Sequence, residues 1–516
     1  MIEAKGLLML AAGASLALSA EAAKRKRPHR PNFVIILADD LGYGDVGCYG
    51  QRLIETPNID RMAREGMRFT QAYSGSPVSA PSRASLMTGQ HSGHTLVRGN
   101  REHWKNHPTM LYGDNVEYSV AGQEPYAAGH IILPEVMKRN GYATGMFGKW
   151  AGGHEGSAST PDKRGVDEYF GYICQYQAHL YYPNFLNRHS KSAGDTGTVR
   201  VVMEENIRHP MHGPGYRGRT QYSADLIHQA GMEWLGRRSA DEPFCGIFTY
   251  TLPHAELWGP QDSLVARYKR RFFEDKTWGG DEGSRYNASE NVHAQFAAMV
   301  SRLDAYVGQI LDKLEQTGLA SNTLVIFTSD NGPHREGGAD PEFFGSGGGL
   351  RGIKRECFEG GIREPFVAWW PGRVAGGTES DHMLSFQDIL PTLCELMGDK
   401  GFPAKYLNRE TPDDCFDGIS FAPTLLGTSP QPAHGHLYWE FHETDQIGVR
   451  EGDWKLVVSR GVAHLFNLAD DVGEKRDLAA QYPARVERMI DIIYKEHRPN
   501  DMFPITLPDK TKRPRQ

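Results

Sequence analysis

Three continuous apolar runs, each closed by polar residues, constrain this chain more than any other feature of its sequence. Residues 33–38 (FVIILA) run into Asp39-Asp40, residues 324–329 (LVIFTS) into Asp330-Asn331, and residues 244–251 (FCGIFTYT) into Leu252-Pro253-His254. A strand that is apolar on both faces must be covered on both, which is the condition of a buried parallel strand. Helical patterns separate the runs, at 60–65, 132–140 and 292–317. Alternation of this kind predicts an α/β sheet with helices on both faces. Open α/β sheets bind ligands beyond the carboxyl ends of their strands. All three runs put titratable or metal-capable side chains at that end, so a site is expected there.

A further helix with a glycine stop is read over 385–398, and beyond about residue 425 the texture changes. Short strand patterns at 436–441, 447–450 and 454–458, then a helix over 483–497, predict a small antiparallel sheet packed with a terminal helix. The 516 residues are enough for one large domain and a smaller one. The expected division is 31–425 for the large unit and 426–516 for a C-terminal subdomain. With 39% hydrophobic and 23% charged residues, disorder and coiled coil are excluded. Lys and Arg total 57 against 64 for Asp and Glu, so there is no basic field to favour nucleic acid. Six cysteines without CxxC spacing argue against both a disulfide framework and a zinc module.

The first residues read as a secretory signal over 1–22: Lys5, an apolar run over 6–18, then small residues at a cleavage site. The run is shorter than a bilayer span. An exported protein, periplasmic or secreted and free of the membrane once the signal is removed, is the expectation. The basic stretch at 24–30 that follows reads as a solvated tail.

If the strands ending at Asp39-Asp40 and Asp330-Asn331 are neighbours, three carboxylates and an amide converge. Carboxylates so placed repel, and a hard divalent cation resolves the repulsion, because oxygen-only ligands select calcium or magnesium over zinc. Either pair alone reads better as a turn cap; two pairs at the same structural position favour the cation. The segment 79–89 (SAPSRASLMTG) adds a second feature. Pro81 suits a first helical position and Gly89 a C-terminal stop, which puts Ser79 just before a helix N-terminus, where anions are favoured. Arg83 brings a permanent charge to the same spot. Gly345-Ser346-Gly347-Gly348-Gly349 lacks the Lys-Ser/Thr ending of a phosphate loop and is read as a close-packed turn.

Ser79-Ala80-Pro81-Ser82-Arg83, followed by Leu86-Met87-Thr88-Gly89, resembles the signature of the type I, formylglycine-dependent sulfatases of the alkaline phosphatase superfamily, (Cys or Ser)-x-Pro-x-Arg and then Leu-x-Thr-Gly. Residues 141–150 (GYATGMFGKW) resemble the second signature with its lysine, Lys149, and 251–254 (TLPH) matches the strand-end histidine, His254. Residues 350–363 match the segment that carries a second lysine, Lys354, and 448–456 looks like the family's C-terminal sheet. The resemblance implies a large mixed, mostly parallel sheet sandwiched by helices, with a smaller C-terminal antiparallel sheet plus helix. It implies one Ca2+ per chain held by Asp39, Asp40, Asp330 and Asn331 together with residue 79, and oxidation of Ser79 to formylglycine by a serine-competent maturase. In the implied mechanism one hydroxyl of the hydrated aldehyde attacks sulfur and the second later expels sulfate. Arg83 and Lys149 hold the diol, His254 and Lys354 bind sulfate oxygens, and His254 protonates the leaving alcohol. One departure stands out: the second signature continues with histidine after Lys-Trp, and this chain has Ala151.

Substrate contacts are expected from two polar and aromatic clusters. His94, Arg98 and Asn100 follow the Ser79 helix, and His179 and Tyr181 lie in the second cluster; His334 is added after Asp330-Asn331. A sulfated carbohydrate of the galactose or N-acetylgalactosamine type is the expected substrate. The alternatives are a phosphomonoesterase or phosphodiesterase of the same superfamily and a catalytically decayed, sulfated-glycan-binding protein.

Overall fold

The computed structural model describes residues 30–104, 121–280, 286–411, 413–428 and 430–509. The signal over 1–22 lies outside the described residues, as does all of the basic stretch except Arg30. Each of the three apolar runs forms a central strand: β1 (Asn32–Asp39) and, after β2 (Ala143–Lys149), β3 (Phe244–Pro253) and β4 (Thr323–Ser329). They belong to a ten-stranded sheet. From edge to edge its order is Thr378–Ser380, Met67–Phe69, Phe366–Trp369, β4, β1, β3, β2, Glu168–Tyr172, Phe185–Ser190, Val199–Val202. The five strands from β4 to Glu168–Tyr172 are parallel, and antiparallel pairs lie on either side of them.

The alternation along β1 explains why it is apolar throughout. Val34, Ile36 and Ala38 face a core shared with Ile59 and Met62 of Pro57–Glu65, Ile227 and Trp234 of Ser223–Gly236, and Val300, Leu303 and Val307 of Val292–Gln316. Phe33, Ile35 and Leu37 face the opposite core, with Ala84 and Met87 of α1 (Ser79–Thr88), Val136 and Met137 of Leu133–Arg139, and Ile389 and Leu393 of Ile389–Leu396. Burying each large aliphatic or aromatic side chain contributes about 1.5–3 kcal/mol, so neither face of the strand can be polar.

Register brings the strand ends together. Ala38 pairs with Ser329 and Asp39 with Pro253, so Asp39-Asp40, His254 and Asp330-Asn331 emerge along one edge of the sheet. Ser79 is the first residue of α1 rather than the residue before it: Val78, in extended conformation, is the cap, and Pro81 falls at the third position. The fixed proline φ is tolerated there because the first-turn N–H groups have no helical partner. Gly89, at φ 68°, ends the helix as expected. Gly148 is required by contact as well as by conformation: its φ is 126°, and a Cβ there would lie 1.9 Å from Thr249 O, where β2 passes β3 just before Lys149.

The C-terminal sheet has four antiparallel strands, Leu437–Phe441, Gln446–Glu451, Trp454–Ser459 and Val462–Asn467, the last not expected from the sequence. One face packs on α2 (Pro483–Glu496) through Val486, Met489 and Ile493. The other face, with Leu437, Trp439 and Phe441, packs on Tyr73, Val78 and Ile362 and so buttresses the residue that caps α1. Beneath it, Lys455 and Glu359 form a fully buried ion pair at 2.9 Å. Among the described residues no helix is long and apolar enough to cross a membrane.

Candidate active site

Two turns at the strand ends build the acidic part of the site. Asp40 takes the left-handed conformation at φ 61°, which Asp tolerates better than most residues. Its N–H donates to Asp330 Oδ1 at 3.1 Å, and Asn331 Nδ2 donates to Asp40 Oδ1 at 2.7 Å, so each acidic pair fixes the other. Ser79 Oγ, at the start of α1, donates to Asp39 Oδ1 at 3.0 Å and lies 3.4 Å from Asn331 Oδ1. Ser79 and both pairs are buried. The five residues expected to share a cation are therefore together.

Cations close the site from the other sides. Arg83 donates from Nε to Asp330 Oδ2 at 2.9 Å, and its Nη2 lies 2.8 Å from the same oxygen and 3.5 Å from Asp39 Oδ2. Lys149 Nζ pairs with Asp39 Oδ2. Lys354 Nζ donates to Asp40 Oδ2 at 2.8 Å and to His254 Nε2 at 3.0 Å. His254 Nδ1 faces Ala255 O at 2.5 Å; a carbonyl only accepts, so Nδ1 carries the proton and Nε2 is the acceptor for Lys354. Burial and the Lys354 charge push His254 down to about 4, leaving the ring neutral at pH 7.

Burial opposes ionisation of all three aspartates, but the outcomes differ. Lys149 and Arg83 hold Asp39 well below the usual carboxylate range, and Lys354 with His254 lowers Asp40. Asp330 is pushed up to about 6 by burial and the Asp39 charge, despite Arg83 beside it. Three carboxylates thus face three cations, and Asp330 is the one left least well neutralised. Asp39, Asp40 and His254 offer ligand atoms within 4.8 Å of one another. Three carboxylates and the Asn331 amide oxygen form an oxygen donor set that suits a hard divalent cation.

The other expected site residues divide. His179 stacks on His254 with centroids 4.7 Å apart and planes at 6°, and His334 stacks near it at 5.5 Å. Tyr181 OH donates to Thr251 O at 2.6 Å and His254 O at 3.0 Å, holding the chain on both sides of the β3 end. Asn100 Oδ1 accepts from Ala80 N–H at 3.4 Å and Gln175 Nε2 at 2.7 Å, at the start of α1. His94 and Arg98 are not brought to this group: His94 Nδ1 meets Asp417 at 2.9 Å and Arg98 Nη1 meets Glu440 at 2.6 Å. Ala151 is buried with φ 56°, and His154, three residues on, faces Glu155 O at 3.0 Å and stacks on His103.

Glu336 belongs to the site and was not anticipated. Its Oε2 accepts from Lys354 Nζ at 3.2 Å and Tyr286 OH at 2.7 Å and lies 3.4 Å from His254 Nε2, while Oε1 accepts from Arg355 at 2.5 Å. A single Glu in a polar loop carries no sequence signal that would have found it.

Glu256, two residues past His254, is a second unanticipated carboxyl. It is fully buried, accepts from Asn287 N at 3.2 Å and Nδ2 at 2.9 Å, and is bonded by Tyr216 OH. Burial pushes it up to about 8. A carboxyl raised in the folded state binds its proton more tightly there than when unfolded, so its contribution is complete below about pH 4 and falls as pH rises towards 8. Thermal unfolding followed from pH 5 to 9 is expected to show a falling midpoint that Glu256→Gln flattens. An unchanged slope in the variant would remove Glu256 from that dependence.

A doubly covered sheet with parallel central strands, a strand-end acidic site and a small C-terminal antiparallel sheet define an alkaline-phosphatase-like architecture. The chain belongs to the sulfatase family, a class of sulfuric ester hydrolases: the family model described as Sulfatase matches residues 31–399. It is 32% identical to the N-acetylgalactosamine-6-sulfatase of Rattus norvegicus over 404 residues, 77% of this chain and 66% of that enzyme, so it spans just under two thirds of that relative. It is 31% identical to human arylsulfatase A over 479 residues, 90% of this chain and 80% of that enzyme. Among solved structures, Ps i-CgsB superposes with a TM-score of 0.70 at 25% identity, covering 92% of this chain and 95% of the other. The complex of Ps i-CgsB with k-i-k-neocarrahexaose gives 0.66 at 25% identity, covering 90% of this chain and 92% of the other.

Proposed function

We propose that this chain hydrolyses sulfate monoesters of a carbohydrate, with residue 79, matured to formylglycine, as its nucleophile. The observation that carries the reading is the Ser79 hydroxyl, 3.0 Å from Asp39 and 3.4 Å from Asn331 at the first residue of a helix, within a ring of buried cations. Asp39, Asp40, Asp330 and Asn331 would hold calcium, which supplies a Lewis acid beside residue 79. Maturation of Ser79 by a serine-competent maturase supplies an aldehyde whose hydrate offers two hydroxyls, one for attack and one for release.

The remaining work falls to side chains already in place. Arg83 and Lys149 orient the side chain of residue 79 and offset charge on it. Lys354 and His254, their nitrogens 3.0 Å apart, face the space where sulfate oxygens would lie. Lys354 Nζ donates to His254 Nε2, so the proton for the departing alcohol would come from the Lys354–His254 pair rather than from His254 alone. Lys354→Ala is expected to lower kcat roughly 10²–10³-fold in a steady-state assay of sulfate release. A kcat within about twofold of the parent's would remove Lys354 from the chemistry.

A sugar substrate of the galactose or N-acetylgalactosamine type is supported by the name of the N-acetylgalactosamine-6-sulfatase relative, by the k-i-k-neocarrahexaose bound to Ps i-CgsB, and by the His179 and Asn100 side chains near the start of α1 and the end of β3. The sequence's leader-like start supports export to the periplasm or medium. Ala151, in place of the family histidine, favours as a second reading a protein that binds sulfated glycans without turnover. Matured protein assayed on a panel of sulfated galactosides and matched phosphate esters separates the readings. Sulfate release well above phosphate release is expected, and binding without release would overturn hydrolysis.

A further inference from the structure

Beyond Gly89, at the opposite end of α1 from Ser79, three stretches of chain meet. His91 and His94 lie in the turn after the helix, Cys415 and Asp417 in a later loop, and Glu496 is the last residue of α2. His94 Nδ1 is 2.9 Å from Asp417 Oδ1 and 3.5 Å from Cys415 Sγ, and that sulfur is 3.4 Å from Asp417 Oδ1. His91 Nε2 stands 3.3 Å from Glu496 Oε2 and 3.8 Å from Asp417 Oδ2. His91, His94 and Asp417 offer ligand atoms within 4.8 Å of one another.

These separations can be set against what one ion requires. Metal–nitrogen and metal–oxygen distances of about 2.0–2.1 Å and metal–sulfur distances of about 2.3 Å place tetrahedral ligand atoms about 3.3–3.7 Å apart. The His94–Cys415–Asp417 triangle, with sides of 2.9, 3.5 and 3.4 Å, approaches that geometry to within a few tenths of an ångström. Asp417 is held in place by backbone: its Oδ2 accepts the His91 N–H at 2.9 Å, and its own N–H donates to Gly89 O at 2.8 Å. Arg498 Nη2 donates to Cys415 Sγ at 3.6 Å, and a metal bound there would take the place of the thiol proton. His91 Nδ1 accepts the Gly93 N–H at 3.1 Å, so its Nε2 carries a proton directed at Glu496, making it a neighbour that orients rather than a ligand.

We propose that His94, Cys415 and Asp417 form a second metal site, for a borderline divalent cation of the zinc class, with a fourth position left to solvent. The donor set of nitrogen, sulfur and oxygen differs from the oxygen-only set at the strand ends, so the two sites select different ions. A cavity of about 480 Å³, whose lining includes Gln90, Arg98, His130 and Arg498, reaches the site at His94. Bound there, a metal ties the turn after α1 to the segment 413–418 beside α2, and so braces the far end of the helix that carries Ser79.

The test is a titration of full-length, calcium-saturated protein with Co2+, followed by Zn2+. Uptake of one equivalent of cobalt is expected, with tetrahedral d–d bands and a thiolate-to-metal charge-transfer band, all displaced by zinc. Cys415→Ser is expected to abolish the charge-transfer band, and Asp417→Asn to weaken cobalt binding by roughly tenfold or more. Asp330→Ala, altered only at the strand ends, is expected to keep both the uptake and the spectrum. No uptake, a charge-transfer band that survives Cys415→Ser, or uptake lost only in Asp330→Ala would each overturn the site.

Discussion

Ser79→Ala is expected to reduce sulfate-ester turnover by roughly 10⁴-fold or more while leaving the protein folded. The hydroxyl is the only part of the side chain that reaches Asp39 and Asn331, and no neighbouring group can take over its chemistry. Asp39 keeps Lys149 and Arg83 when the hydroxyl is lost, so no charge is left unpaired. The cost is that of about one hydrogen bond, near 1 kcal/mol, and the thermal midpoint should fall by no more than about 4 °C. The check is a pair of measurements on one preparation: sulfate release and thermal unfolding. Retained activity would exclude residue 79 from the mechanism, and a collapsed midpoint would mean that the hydroxyl serves the fold.

Asp330→Ala is expected to remove bound calcium and to cost roughly 10³-fold or more in rate. Asp330 is the aspartate least well neutralised by the protein's own cations, its carboxyl standing at about 6, so a bound cation relieves it most. The substitution also strips Arg83 of its closest partner in a buried setting, which is destabilising in itself. Asp330→Asn is the companion variant, because it keeps the shape and an acceptor for the Asp40 N–H. Equilibrium dialysis against calcium and the rate after chelation check both variants. Parent-like activity in a chelated, calcium-free preparation would count against the proposed metal site.

Most of what positions the site was legible in the sequence, because a buried parallel strand has to be apolar throughout and then stop. β1, β3 and β4 announced themselves in that way, and their polar endings marked the edge where the site forms. The strands Glu168–Tyr172, Phe185–Ser190 and Val199–Val202, towards one edge of the sheet, did not, since they mix polar and apolar residues as loops do. Proximity along the chain misled for His94 and Arg98. A ten-residue helix starting at Ser79 advances about 15 Å, so the residues just after it start from its far end, where Asp417 and Glu440 meet His94 and Arg98. Only by Asn100 has the chain returned to the start of α1. Cys415 and His94 were likewise too distant in sequence to register as a cluster. Glu336 and Glu256 were invisible for a different reason: a carboxylate among polar residues acquires its role from the lysine, tyrosine or asparagine that folding places beside it. The roles of Lys149, His254 and Lys354 came from the family resemblance, and only the fold put their nitrogens within reach of Asp39 and Asp40.

The most direct measurement is the mass of the peptide that spans residue 79, taken from protein made with a serine-competent maturase and assayed in parallel for sulfate release from glycans. The expected result is a peptide lighter by two hydrogens at that residue, in a proportion that rises with activity across preparations. Full activity in a preparation whose residue 79 is entirely unmodified serine would contradict it.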